Sequence, residues 1–277
     1  MSKLKTVLLL ALAAALPQAA AAGGQTHKTA RTTLERYADA ILTVKVVVKH
    51  RYISEGRERN ASEAQMELSG TTLTPGGLTV VSDAATNPSS LAASSPGSAR
   101  RMETETTDVK LVLGDGRELP ARFVLRDRDL DLAFVLPDEQ GLELPHVDFA
   151  RDAAAVPQPL DELVYLYPLA KSLNREVAVT LDRVRAVVHK PRTFIAQSLF
   201  LGMQSLGCPV FDTTGKVVGL SVLRRAAIRS RPSGSFGDMF NSVTPVVLTA
   251  ADVHEGAVQA LEHAAKQAAE GAEGEKR

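Results

Sequence analysis

"QSLGCPVFDTTGKVVGL", residues 204–220, decides how the chain is read. A turn of small residues ends in Gly207-Cys208-Pro209. It runs into a short apolar strand, then a Thr213-Thr214-Gly215-Lys216 turn, then a second apolar strand from Val217. Glycine supplies the conformational freedom such turns need. Proline is tolerated where a strand begins.

Working outward, the same pattern recurs. On the C-terminal side, "VTPVVLT" is another short strand. Residues 249–268 have helical periodicity, with Thr249 as the N-cap. On the N-terminal side, "ELVYLYPL", "REVAVTLDRVRAVVH" and "TFIAQSLF" read as strands. A polar, proline-bearing connection, "DEQGLELPHVDFARDAAAVPQPLD", precedes them. Before it lie the strand "DLAFVLP", the hairpin "VKLVLGDGRELPARFVL", and two strands around Pro75-Gly76-Gly77. Asp115-Gly116 predicts a tight primed turn in the hairpin. "ILTVKVVVKHRYI" is β-branched enough for a buried strand, and residues 28–40 have helix-forming character. Residues 86–104, rich in Ser, Pro and Ala, read as a long exposed loop. Many short strands in two sets predict two β-barrels or a sandwich pair.

With 277 residues the chain can bury a sizeable core. Lys+Arg and Asp+Glu are both 32, so net charge favours neither nucleic acid nor an anionic membrane. Tryptophan is absent and aromatics are sparse, so there is little with which to stack on bases. The N-terminus, "MSKLKTVLLLALAAALPQAAAAGG", has Lys3 and Lys5, an apolar run from Val7 to Leu16, then Pro17 and an Ala-rich stretch. This is the pattern of a secretory signal peptide cleaved near Ala20 or Ala22. The run is too short to span a bilayer. Export is therefore expected, to the periplasm or the medium. Cys208 is the only cysteine, so no intrachain disulfide forms. No Cys-based zinc site is available, and the six histidines lack metal-ligand spacing. No metal or other cofactor is expected.

Three blocks carry a resemblance: "SGTTLTPGGLTVVSDAAT" (69–86), "VKLVLGDGRELPARFVLRDRDLDLAFVLP" (109–137) and "IAQSLFLGMQSLGCPVFDTTGKVVGL" (195–220). In order and spacing they resemble the trypsin-like serine proteases of the HtrA/Deg type, without a following PDZ domain. The resemblance extends over about residues 35–262. It implies an all-β fold of two six-stranded β-barrels with short N- and C-terminal helices. The division it suggests is a signal peptide over 1–22, a first barrel with its N-terminal segment over 23–137, and a linker over 138–158. A second barrel would follow over 159–248, then a C-terminal helix and tail over 249–277.

The same alignment implies a damaged triad. The position of the catalytic histidine falls on Ala84, that of the nucleophilic serine on Leu206, and that of the aspartate on Asp131. The oxyanion-hole region falls on Gln204 and Gly207, with Cys208 where a second glycine stands in the family. A serine hydrolase needs a base within reach of its hydroxyl and a third group to orient that base. Ala84 can accept no proton. Asp131 reads instead as a strand-edge carboxylate capping backbone N–H groups. Three substitutes are open: Ser205 as nucleophile if the turn slips by one residue, Cys208 as nucleophile, and His50 or His146 as base. Against Cys208 stands its reading as a small buried residue. The leading expectation is a catalytically inactive pseudoprotease that binds an extended peptide or an exported protein in the cleft between barrels. A divergent active endopeptidase of the HtrA type is the alternative, and a structural envelope protein is a third.

Overall fold

The computed structural model describes residues 24–54, 57–86, 100–225 and 243–274. The candidate signal peptide, residues 87–99 of the Ser/Pro-rich stretch, residues 226–242 and the last three residues lie outside them.

A helix over residues 24–37 (α1) and a 3-10 turn at Ala38–Ala40 lead into six strands. These are β1 (Ile41–Ser54), β2 (Arg57–Thr72), β3 (Thr79–Ser82), β4 (Arg100–Val112), β5 (Glu118–Asp127) and β6 (Leu132–Pro137). They close into an antiparallel barrel in the order β1-β2-β3-β6-β5-β4. Seven further strands follow. They are β7 (Glu162–Pro168), β8 (Val177–Arg183), β9 (Ala186–Val188), β10 (Phe194–Ala196), β11 (Pro209–Asp212), β12 (Val217–Arg225) and β13 (Val243–Thr249). They form a half-barrel in the order β8-β7-β11-β12-β13-β10-β9. The expected double-barrel architecture is present; among the described residues the second sheet has seven strands, and β9, only three residues long, ends it without closing on β8.

Alternation along strands explains where the core sits. In β6, Ala133 and Val135 face the interior of the first barrel with Val44, Val46, Val81 and Leu111. Leu132 and Phe134 face the other way, into a core shared with Phe211, Leu220 and Leu248 of the second sheet. Both faces are buried, so the strand reads as an unbroken apolar run rather than an alternating one. In β7 the same logic sends Val164 and Leu166 to the shared core, and Leu163 and Tyr165 into the half-barrel. The C-terminal helix α4 (Ala250–Gly274) lays Ala250, Val253, Ala257, Ala260 and Ala264 on the shared core. This spacing is one face of a helix. Thr249 accepts the Asp252 N–H at 3.3 Å, as an N-cap does.

Three local expectations change. Residues 100–104 belong to β4, extending its pairing with β1. The β4–β5 connection is not a two-residue primed turn. Gly116 N–H donates to Leu113 O at 2.9 Å, Leu113 N–H donates to Arg117 O at 2.9 Å, and only Gly116 has positive φ. That is a type I turn closed by a left-handed glycine, with Asp115 Oδ1 accepting the Arg117 N–H. Finally, "TFIAQSLF" is strand only to Ala196. A short helix, α3 (Leu199–Gln204), starts after Ser198.

Candidate functional site

Asp131 lies between β5 and β6 with φ of 60°. Side chains avoid this left-handed region, but aspartate tolerates it better than most. Its peptide oxygen accepts the Asp83 N–H at 3.1 Å. Its carboxylate is buried and fully engaged. Oδ2 accepts the Ser82 hydroxyl at 2.6 Å and the Leu223 N–H at 2.6 Å, while Oδ1 accepts the Ala84 N–H at 2.7 Å. Ser82 and Ala84 belong to the first-barrel side, Leu223 to β12. One carboxylate thus joins the two halves of the fold. No ion pair reaches it among the described residues. Burial pushes its pKa from 3.8 up to about 6, against the downward pull of the hydroxyl and the two N–H groups.

Ala84 sits in the four-residue helix α2 (Asp83–Thr86) directly after β3. It is buried with Leu223 and Val243, and Leu206 packs against this cluster. The structure therefore brings together residues 84, 131 and 206. What meets there is a methyl group, an isobutyl group and a carboxylate bound to backbone. Neither hydrocarbon can attack a carbonyl or carry a proton.

Ser205 points elsewhere. It is fully buried, its hydroxyl donates to Leu201 O at 2.9 Å, and it lies 3.1 Å from the Ser221 hydroxyl. Ser221 Oγ in turn accepts from Gln197 Nε2 at 2.8 Å. Gln197 Oε1 has no hydrogen-bond partner although it is buried. Sequence reasoning missed this polar network, in which Gln197 follows β10, Ser205 follows α3 (Leu199–Gln204) and Ser221 lies in β12. Gln204 ends α3, so its N–H belongs to the helical ladder rather than to an open loop. Gly207 has φ of 78°, its N–H donates to Ser221 O at 2.8 Å, and its carbonyl accepts the Thr71 hydroxyl at 2.7 Å.

Cys208 is fully buried, and burial pushes its thiol pKa up to about 12. The thiolate is the reactive form, so a thiol reagent should label the native protein at least roughly tenfold more slowly than the denatured chain. Equal rates measured by mass spectrometry would show that the site opens readily. His50 lies within β1, opposite Ser62 and Thr104. His146 lies in the connection between barrel and half-barrel, its Nδ1 3.2 Å from Leu144 O. Among the described residues no three His, Cys, Asp or Glu side chains gather as metal ligands do. No described helix is long and apolar enough to cross a membrane.

The family model for the trypsin-like peptidase domain matches residues 68–220, more than half of the chain. The chain belongs to the trypsin-like peptidase family. The matched span includes residues 84, 131 and 206. Among solved structures, the HtrA-type protease AlgW with decapeptide is similar at a TM-score of 0.51 and 16% identity, over 83% of this chain and 67% of that one. A variant of AlgW, also with decapeptide, gives 0.48 and 16%, over 79% of this chain and 62% of that one. This trypsin-like chain thus spans about two thirds of the length of those HtrA-type chains. At such identity the likeness is one of fold. A search of curated protein sequences found no match.

Proposed function

We propose that this trypsin-like chain is an exported pseudoprotease. It would use the inherited cleft to hold an extended peptide or exported protein, and would act as a binding or regulatory module. One observation carries the reading. Asp131 is spent on Ser82 and two backbone N–H groups, and the residues beside it at positions 84 and 206 are packed hydrocarbon. Peptide binding is supported by kinship of fold with AlgW, which was solved with a decapeptide. The signal-like N-terminus supports export. Ser205, the remaining serine of the turn, has its hydroxyl buried and committed to Leu201 O, which speaks against the active-endopeptidase alternative.

A fluorophosphonate probe marks only an activated serine. The natural protein should show no labelling. Labelling at Ser205 would overturn the reading and restore the protease. The companion variant combines Ala84→His, Leu206→Ser and Gln204→Gly. Leu206 packs against the cluster of Ala84, Leu223 and Val243, where a larger side chain at position 84 would overpack, so the changes are made together. Weak labelling is expected, abolished when residue 84 is returned to alanine. In known triads each member is needed for nearly all of the rate, so labelling indifferent to the new histidine would misplace the site.

A further inference from the structure

A cleft whose lining does not include residues 84, 131 or 206 separates the first barrel from the β7–β8 connection. Its larger compartment, about 530 Å³, is walled by Ile41, Val112 and Val177 and by the carboxylate residues Asp39, Asp115 and Glu176. A smaller one, about 160 Å³, reaches Leu68 and Ser69. Thr43, Pro168, Lys171 and Arg175 line both. Arg175 forms a bar between the two halves of the fold. Its Nη2 donates to both carboxylate oxygens of Glu67 at 2.7 Å, and its Nε donates to Oε2 at 3.0 Å.

Two features set this pair apart from ordinary surface pairs. The guanidinium presents a fork, the geometry that proteins use to recognise a carboxylate. It is also delivered by two consecutive non-glycine residues in the left-handed region, Asn174 and Arg175, both with φ of 55°. Such a conformation is unfavourable and persists only where the surroundings impose it. Here the backbone of Ala170–Glu176 holds it: Asn174 N–H donates to Lys171 O at 3.1 Å, and Leu169 N–H to Glu176 O at 2.9 Å. Glu67 and Arg175 both keep a quarter or more of their side-chain surface in solvent, so an incoming carboxylate can reach the fork and compete with Glu67.

We propose that this cleft docks an extended peptide bearing two charges. Its carboxylate replaces Glu67 on Arg175, with Lys171 alongside, and a basic side chain lies toward Asp39, Asp115 and Glu176. The apolar residues Ile41, Val112 and Val177 beside these charges suit short side chains. An opening of this volume is about 10 Å across, which two or three extended residues span. Glu67 is then a built-in competitor that sets a threshold for binding. The inference does not rest on the pseudoprotease reading. A catalytically active chain could carry the same cleft, and the two fail on different experiments.

The probe is acetyl-Lys-Ala-Ala-Glu-amide, titrated calorimetrically into the purified protein. The control replaces its Glu with Gln. Removing the internal competitor with Glu67→Gln should tighten binding of the probe roughly tenfold, and Arg175→Gln should weaken it by a similar factor. Glu67→Asp, too short to fill the fork as well, should fall between wild type and Glu67→Gln. The control peptide should be insensitive to all three changes. Circular dichroism melts establish that each variant is folded, and Glu67→Asp carries the test if Glu67→Gln does not fold. A purely structural ion pair would lower the melting temperature in the variants without any change in affinity. That outcome, equal affinity for probe and control, or no binding to wild type or the Glu67 variants at millimolar concentration, would overturn the proposal.

Discussion

Replacing Gly207 with alanine is expected to cost the folded chain about 2–5 kcal/mol, the sum of a left-handed backbone and an overpacked contact. Gly207 has φ of 78°, and a Cβ built there would stand 2.4 Å from the peptide oxygen of Ser69. That oxygen belongs to β2, a barrel strand that cannot swing aside as a side chain would. Gly207 is also tied on its other atoms, to Ser221 O and the Thr71 hydroxyl. Gly116 is the control: its φ is 84°, but nothing lies within 4 Å of its added Cβ. Gly116→Ala should therefore show the backbone cost alone, on the order of 1–2 kcal/mol. Chemical denaturation of both variants separates the two contributions. Equal losses would mean that the turn yields at Ser69 and that the close approach has no energetic consequence. Since a domain is stable by only about 5–15 kcal/mol, the larger loss should be visible as reduced soluble yield.

This contact also holds the turn in shape with Leu206 in it. Gly207 seats the segment on β2 whatever side chain stands at position 206, and Leu206 then completes an apolar cluster with Ala84, Leu223 and Val243. With hydrocarbon at both positions 84 and 206, neither leaves a buried polar orphan, whereas a polar group at one alone would stand in a dry site without a partner, which is costly.

The barrels were legible in the sequence because their cause is local. Period-two burial, glycine and proline at turns, and the order of three blocks all lie along the chain. β6 shows this well: "LAFVLP" is apolar at every position because it separates two cores. What could not be read depends on contacts between distant residues. The hydroxyl of Ser205 meets Ser221, sixteen residues on, and Glu67 meets Arg175 across 108. No periodicity announces either. The turn at Asp115-Gly116 was misread for a different reason. The dipeptide favours a primed turn, but strand pairing ends at Val112 and Glu118, leaving five residues to connect rather than two. The helix at Leu199–Gln204 was hidden within an apolar run that could be strand or helix. Its Leu, Met and Gln residues are good helix formers.

The burial of Asp131 leads to the remaining large effect, on stability as a function of pH. Its folded pKa is about 6, raised chiefly by burial, against 3.8 for the ordinary carboxyl. The folded state therefore binds the proton more tightly than the unfolded chain does. Between about pH 4 and pH 6 the unfolded chain has given up a proton that the folded chain retains, so stability falls as pH rises through that window. At about 1.4 kcal/mol per unit the total is near 3 kcal/mol, present in full below pH 4 and lost above pH 6. The protonated acid is accommodated because the Ser82 hydroxyl can turn and accept, leaving Ala84 and Leu223 N–H groups with their oxygens. Asp131→Asn removes the titration but places an amide NH₂ opposite one of those two N–H donors, at a cost of about 1–3 kcal/mol. The natural protein should then exceed the variant clearly at pH 4.5, and the gap should close by about 2 kcal/mol by pH 7. Other groups titrate alike in both proteins and cancel in the difference, so guanidinium unfolding of the pair across this range reads Asp131 alone. Parallel curves would mean that Asp131 keeps an ordinary pKa when folded. The seam between the two halves would then be wetter than its hydrogen bonds imply, with room beside the carboxylate for the imidazole that position 84 lacks.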